Sequence, residues 1–271
     1  FVNFIHVLFL RNITRAGYTS KLERKEAQQM RTKLSLAADG MSLERLFGIL
    51  KGQVGQAIDR VKVHDLLDSM GPLLLRFLAI CGFEPWVDYK LHDTKDTVRL
   101  RVAALVRNGA RIITVHASGG VEMMQEAIKG TMSTCDERMA KIYAITALTS
   151  LSDEEIQRIY NRSRLEQVEV LARMALKAGV DGIVCSALEL EHLRSIPDFA
   201  HVHLVVPGTR SVGADLGQQK RTDTPRNAVA HGANELVVGS QVTKAEDREI
   251  AMANFLAEVV DGESQAGISS Q

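Results

Sequence analysis

From Lys33 onward the sequence alternates between a short β-type run ending in a polar residue and a stretch with helical spacing. That alternation restricts the chain to a few α/β architectures. The β-type runs are Leu34 to Asp39, Arg60 to His64, Trp86 to Leu91, Arg111 to His116, Ile142 to Ala147, Gly182 to Ser186, Val202 to Val206 and Glu235 to Gly239. Between them, Leu43, Leu46, Phe47, Leu50, Val54 and Ile58 keep a helical period, as do Val98, Val102, Leu105 and Val106. Ser152 with Glu155 and Ser186 with Glu189 have the spacing of capping boxes, and Thr224-Pro225 sets a cap before a first-turn proline. Gly109, Gly179 and Gly232 sit where helices should close. Eight repeats within roughly 250 residues, with no linker, predict a single (β/α)8 TIM barrel. An open doubly wound sheet would want a glycine-rich turn after the first strand, and Ala37-Ala38-Asp39-Gly40 is not one. The expected organisation is an N-terminal extension over 1–32, partly helical between Thr19 and Arg31, a barrel over 33–260 and a flexible tail over 261–271.

In such a barrel the reacting groups come from the C-terminal ends of strands. That leaves Asp39, Lys62, Asp88, Lys90, Asp93, His116, Thr149, Ser150, Ser186, Arg210 and Gly239 to consider. The densest stretch is Asp88-Tyr89-Lys90-Leu91-His92-Asp93. Side chains alternate along a strand, so Asp88 and Lys90 share a face, and Asp93 falls where the chain turns. Two carboxylates and an ammonium in one place are costly to assemble, which favours a functional site over a surface ion-pair cluster.

Composition excludes several classes. The 33 basic and 33 acidic residues cancel, so no global charge draws the chain to nucleic acid or to an anionic membrane. Cys81, Cys135 and Cys185 are far apart and odd in number, which argues against a disulfide framework or a structural zinc site and for a reducing, cytoplasmic setting. Phe1 to Leu10 has the length of a signal-peptide core, but Asn3 and His6 interrupt it, and it is expected to be a packing extension. His116 is expected to be a core or hydrogen-bonded supporting histidine, and His201 and His203 to lie on a solvated strand edge, with no third ligand to make a metal pair. Gly119-Gly120 and Gly217 read as turns, and Met123 and Met124 as helix-face filler.

The stretch Val87 to Asp93 resembles the signature of the orotidine 5′-monophosphate decarboxylase family. Other pieces follow in that family's order: Asp39, Lys62 in Val61-Lys62-Val63, Thr149-Ser150, Val184-Cys185-Ser186, Pro207-Gly208-Thr209-Arg210, Gly217 to Arg221 and Val237-Val238-Gly239. The likeness spans roughly Lys33 to Phe255. It implies cofactor-free and metal-free decarboxylation of orotidine 5′-monophosphate to uridine 5′-monophosphate in pyrimidine biosynthesis. It further implies an array of Lys62, Asp88, Lys90 and Asp93, with Lys90 protonating C6 and Asp88 beside the departing carboxylate. Asp39 and Lys62 would hold the ribose hydroxyls, and Thr149 and Ser150 would meet the pyrimidine. Asp93 and Thr97 would reach across a homodimer interface into the partner's site.

Two positions depart from the family pattern. Arg210, Gln219, Gly239 and Ser240 would form the phosphate end, but Ser240 stands where the family has arginine, with Lys220, Arg221 or Lys244 left to supply charge. Thr94-Lys95-Asp96 replaces the more usual Ile-Pro-Asn. Two alternatives stay open. One is a Mg2+-dependent sugar-phosphate enzyme of the same superfamily, against which Lys62 speaks because that branch wants a metal-binding carboxylate there. The other is a non-catalytic nucleotide-binding barrel.

Overall fold

The computed structural model describes residues 32–132, 140–211 and 222–267. Residues 1–31 of the N-terminal extension, Cys135, Gly217, Gln219, Lys220, Arg221 and the last four residues of the chain lie outside this set. Strands β1 (Lys33–Ala37), β2 (Arg60–Val63), β3 (Glu84–Leu91), β4 (Ile112–His116), β5 (Lys141–Ile145), β6 (Gly182–Val184), β7 (Leu204–Pro207) and β8 (Glu235–Val238) close into a barrel in sequence order. All pairings are parallel, including β1 with β8. Each of the eight runs expected from the sequence forms a strand, with ends moved by at most two residues.

The strands are followed in turn by α1 (Leu43–Lys51) and α2 (Gln53–Ala57), by α3 (Asp65–Met70) and α4 (Leu73–Ile80), by α5 (Lys95–Arg107) and by α6 (Val121–Thr131). Then come α7 (Asp153–Tyr160) and α8 (Arg164–Ala178), α9 (Leu190–Arg194), α10 (Pro225–Ala230), and α11 (Ser240–Thr243) with α12 (Arg248–Gln265). The capping chemistry is local. Ser152 and Ser163 each accept from the third helical N–H while Glu155 and Glu166 return to the cap N–H, and Thr224 accepts from Asn227 N–H ahead of Pro225. The helical period from Leu43 to Ile58 is broken at Gly52, whose extended backbone separates α1 from α2.

Strand alternation sorts the core into two layers. Leu34 and Leu36 of β1 pack outward beneath the helices, whereas Ala37, Trp86, Ile112, Tyr143, Ile145, Val184, Val205 and Val237 fill the barrel axis. Trp86 and Tyr143 meet edge to face, with ring centroids 5.5 Å apart. The side chain of Trp86 closes the axis just below the C-terminal mouth of the barrel.

Below this layer, at the strand N-termini, a buried polar cluster surrounds Glu235. Its carboxylate accepts from Ser35 Oγ and Arg60 Nη1, from Tyr143 OH at 3.1 Å and meets His203 Nε2 at 2.9 Å. The solvated edge expected for His203 therefore does not exist, because closure of β1 onto β8 removes every edge. Removing one member of such a buried ion pair costs about 3–5 kcal/mol, because the other charge is left unpaired.

The tail expected from Asp261 also needs correction, because α12 continues to Gln265. Gly262 lies against α10, where a Cβ would come within 2.4 Å of the Arg226 carbonyl, so the missing side chain is what admits the close approach. Arg226 pairs with Asp261, and Glu263 Oε1 accepts the Thr32 N–H at 2.7 Å. These contacts hold a polar segment that propensity alone would leave loose.

Candidate active site

The C-terminal mouth of the barrel holds a cavity of about 710 Å3. Ala37, Trp86, Ile145, Val184 and Val237 form its apolar floor, and the ends of β1, β2, β3, β7 and β8 furnish its polar walls. β3 is the element that makes it a site. Its pairing with β4 shifts register between Val87 and Leu91, and Lys90 takes φ +46°, a left-handed conformation costly for a side chain of its kind. Freed from the ladder, the Lys90 N–H donates to Thr114 Oγ1 at 2.9 Å, and Thr114 Oγ1 donates to Asp88 Oδ1 at 2.9 Å. One β4 hydroxyl thus fixes both the bulged backbone and the carboxylate. Backbone strain of this sort, about 1–3 kcal/mol, persists only where the surroundings hold it.

The charged groups form a continuous chain. Lys90 Nζ and Lys62 Nζ both lie 2.9 Å from Asp88 Oδ2, and Lys62 Nζ lies 2.9 Å and 3.2 Å from the two oxygens of Asp39. His64 Nε2 extends it, at 2.9 Å from Asp39 Oδ1. Lys62 and Asp88 are buried, whereas the Lys90 side chain keeps 37% of its exposure and can exchange a proton with water. Burial alone would lower the Lys62 pKa, but Asp88 and Asp39 outweigh it and raise it above the ordinary 10.5. Burial would raise Asp88, yet Lys62 and Lys90 hold it below the ordinary 3.8. Both stay charged at neutral pH.

Asp93 is not part of this chain's own array. The second carboxylate is Asp39, and it is Lys62, not Lys90, that is held between two acids. The reason is local. The chain turns after Leu91 into α5, Asp93 Oδ1 accepts the Thr94 N–H at 2.6 Å, and Thr94 Oγ1 donates to Thr97 Oγ1 at 2.9 Å. Neither Asp93 nor Thr97 lines the cavity. Thr149 lines it, and its neighbour Ser150 does not. Ser186 caps its own short turn with Glu189. His116 packs on His92, ring centroids 5.5 Å apart, and burial, with His92 and Lys90 nearby, pushes its pKa down.

At the far end Arg210, buried to 8% exposure, donates through Nη1 to the Thr209 carbonyl at 2.9 Å and through Nη2 to Ser240 Oγ at 3.3 Å. Gly239, Ser240, Gln241 and Lys244 complete this wall. Among the charged residues lining the cavity, Lys62, Lys90, Asp39 and Asp88 cancel at one end, leaving Arg210 and Lys244 at the other. A ligand with an anionic tail matches that division. Asp39, His64 and Asp65 bring possible ligand atoms within 4.8 Å of one another, but Lys62 already contacts both Asp39 oxygens and His64 Nδ1 accepts the Asp65 N–H at 2.7 Å. A cation there would compete with the Lys62 ammonium. Trp86 and Thr114 escape a search limited to strand ends, although each is two residues below a singled-out position, Asp88 or His116, and so shares its face.

Comparison with known proteins bears on this geometry. Residues 32–255 match the model of the Orotidine 5'-phosphate decarboxylase / HUMPS family. The orotidine 5'-phosphate decarboxylase of Pseudoalteromonas translucida (strain TAC 125) is 38% identical over 197 residues, covering 72% of this chain and 83% of the relative. That of Paramagnetospirillum magneticum (strain ATCC 700264 / AMB-1) is 38% identical over 221 residues, 78% of this chain and 89% of the relative. The crystal structure of orotidine 5'-phosphate decarboxylase from Lactobacillus acidophilus superposes with a TM-score of 0.70 at 31% identity, over 84% of this chain and 99% of that one. With the family model, these relatives and the fold in agreement, the chain belongs to the orotidine 5'-phosphate decarboxylase / HUMPS family.

Proposed function

We propose that this chain is a lyase that removes carbon dioxide from orotidine 5′-monophosphate to give uridine 5′-monophosphate in pyrimidine biosynthesis, using its own Lys62, Asp88, Lys90 and Asp39 side chains. The observation that carries this reading is the Lys90–Asp88–Lys62–Asp39 chain set in a cavity that is neutral at this end and cationic at the other. The pyrimidine sits over the apolar floor beside Thr149, with its carboxylate near Asp88. The C6–carboxylate bond breaks, carbon dioxide leaves, and the electron pair stays in an orbital at C6 that the ring cannot delocalise. The Lys90 ammonium stabilises that pair and donates its proton to form C6–H, and the resulting amine recovers a proton from water. Two unit charges about 4 Å apart at an effective dielectric near 20 interact by about 4 kcal/mol, and a fixed ammonium needs no reorganisation when the charge appears. Asp88, held ionised beside Lys62, opposes the substrate carboxylate in the ground state and pairs with Lys90.

The decisive test follows loss of orotidine 5′-monophosphate absorbance in EDTA, with parent and Lys90→Ala run together. Turnover by the parent and a kcat lowered far more than affinity in the variant are expected. Near-parental decarboxylation by Lys90→Ala would remove Lys90 from its role, and activity abolished by chelation alone would favour the Mg2+-dependent sugar-phosphate reading.

The working form in this reading is a cytoplasmic homodimer. Asp93 is exposed and Thr97 half-buried, and both lie outside their own chain's cavity, as expected of residues that complete a partner's site. Arg210, Gly239 and Ser240 receive the 5′-phosphate, together with Gln219. Among the described residues, no helix is long and apolar enough to cross a membrane.

A further inference from the structure

Among the described residues, the phosphate wall has one guanidinium, the buried Arg210, and position 240 is a serine. Ser240 does not replace that charge. Its hydroxyl accepts from Arg210 Nη2 at 3.3 Å, so it steers the existing cation. A phosphate monoester carries close to two negative charges at neutral pH, and one guanidinium balances only part of that. Lys244 lies on the same wall, four residues beyond Ser240, where α11 ends. It is exposed, and no hydrogen bond or ion pair engages its ammonium among the described residues. Beside it Gln241 uses Oε1 to accept the Ser211 N–H at 2.8 Å and keeps Nε2 buried without a partner among the described residues.

We infer that Lys244 is this chain's second phosphate-binding cation, taking over from the position occupied by Ser240 and closing on the 5′-phosphate opposite Arg210. The inference rests on the reading that the substrate carries a 5′-phosphate. A flexible lysine at the cavity rim replaces a guanidinium fork by a point charge, so the grip is less directional and relies on Arg210 for geometry.

Calorimetric titration of parent, Lys244→Ala and Lys244→Arg with uridine 5′-monophosphate and with uridine tests it. Loss of about tenfold in nucleotide affinity is expected for Lys244→Ala, the scale of one charge-assisted hydrogen bond at an exposed rim. Uridine affinity should not change, Lys244→Arg should keep the nucleotide affinity, and Ser240→Arg added to Lys244→Ala should restore it. Unchanged nucleotide affinity in Lys244→Ala would overturn the assignment, as would an equal loss for uridine and its phosphate. A Lys244-dependent preference for the phosphate in a parent that decarboxylates nothing would keep the site and reject the reaction. Decarboxylation by a parent whose nucleotide affinity ignores Lys244 would do the opposite.

Discussion

Thr114 carries more than its size suggests. Its hydroxyl is the shared partner of the Lys90 N–H and the Asp88 carboxylate, so Thr114→Val keeps the volume and leaves a buried donor and a buried acceptor unmatched. We expect kcat to fall about ten- to a hundredfold, because sub-ångström displacement of a proton donor is expensive, with about 1–3 kcal/mol lost in urea unfolding. Parental kcat in that variant would show that Lys90 is positioned by other means. Asp88 and Lys62 also set a pH window. The Asp88 pKa is depressed, so its contribution to stability is present above its unfolded value near 3.8 and is lost as pH falls through the lower folded value. The Lys62 pKa is raised, so its contribution is complete below 10.5 and is lost as pH rises through the higher folded value. Between those limits the array should hold, and a flat kcat from pH 6 to 8, about one unit either side of neutrality, is the expected profile. At this scale the sequence was informative where parity sufficed, since Asp88 and Lys90 both reach the cavity. Parity was silent on Asp93, which lies past the strand end outside its own chain's cavity, its carboxylate accepting the N–H that follows it.

Elements were legible wherever their signal was local. The β-type runs, the Ser152 box and the Thr224-Pro225 cap can each be read from a few adjacent residues, and each forms as expected. α12 was cut short because its last turn depends on α10, which no local pattern shows. That dependence makes a prediction. Gly262→Ala puts a methyl group 2.4 Å from the Arg226 carbonyl, so α12 must move off α10, and chemical denaturation should show a loss of about 1–3 kcal/mol. Gly48→Ala, within α1 and with nothing within 4 Å of its new Cβ, controls for substitution of a helical glycine without a clash and should not destabilise. Equal stability of Gly262→Ala and parent would mean that the two helices do not pack as described.

Closure is a property of the whole barrel, and it was the feature least visible in single residues. The sequence showed eight repeats but not which strand bottoms would meet, so His203 read as an edge residue when it belongs to the cluster around Glu235. Burial would raise the Glu235 carboxyl, but His203, Arg60 and Ser35 hold it below the ordinary 4.5. Its contribution is therefore present above 4.5 and lost as pH falls through the folded value, and Glu235→Gln should lower the unfolding free energy at pH 7 by about 3–5 kcal/mol. A variant as stable as the parent at neutral pH would show that the cluster contributes little. Assembly can be tested at the same scale. Mixing inactive Lys90→Ala and Asp93→Ala subunits should regenerate one intact site per mixed dimer if Asp93 serves the partner, and no recovered turnover would confine Asp93 to its own chain. Finally, Trp86 is the only tryptophan in the sequence, and it forms part of the cavity floor. The sequence thus carries one tryptophan at the place where a pyrimidine would stack or displace water, and its emission, excited selectively beyond tyrosine absorption, should report occupancy of the site without any added label.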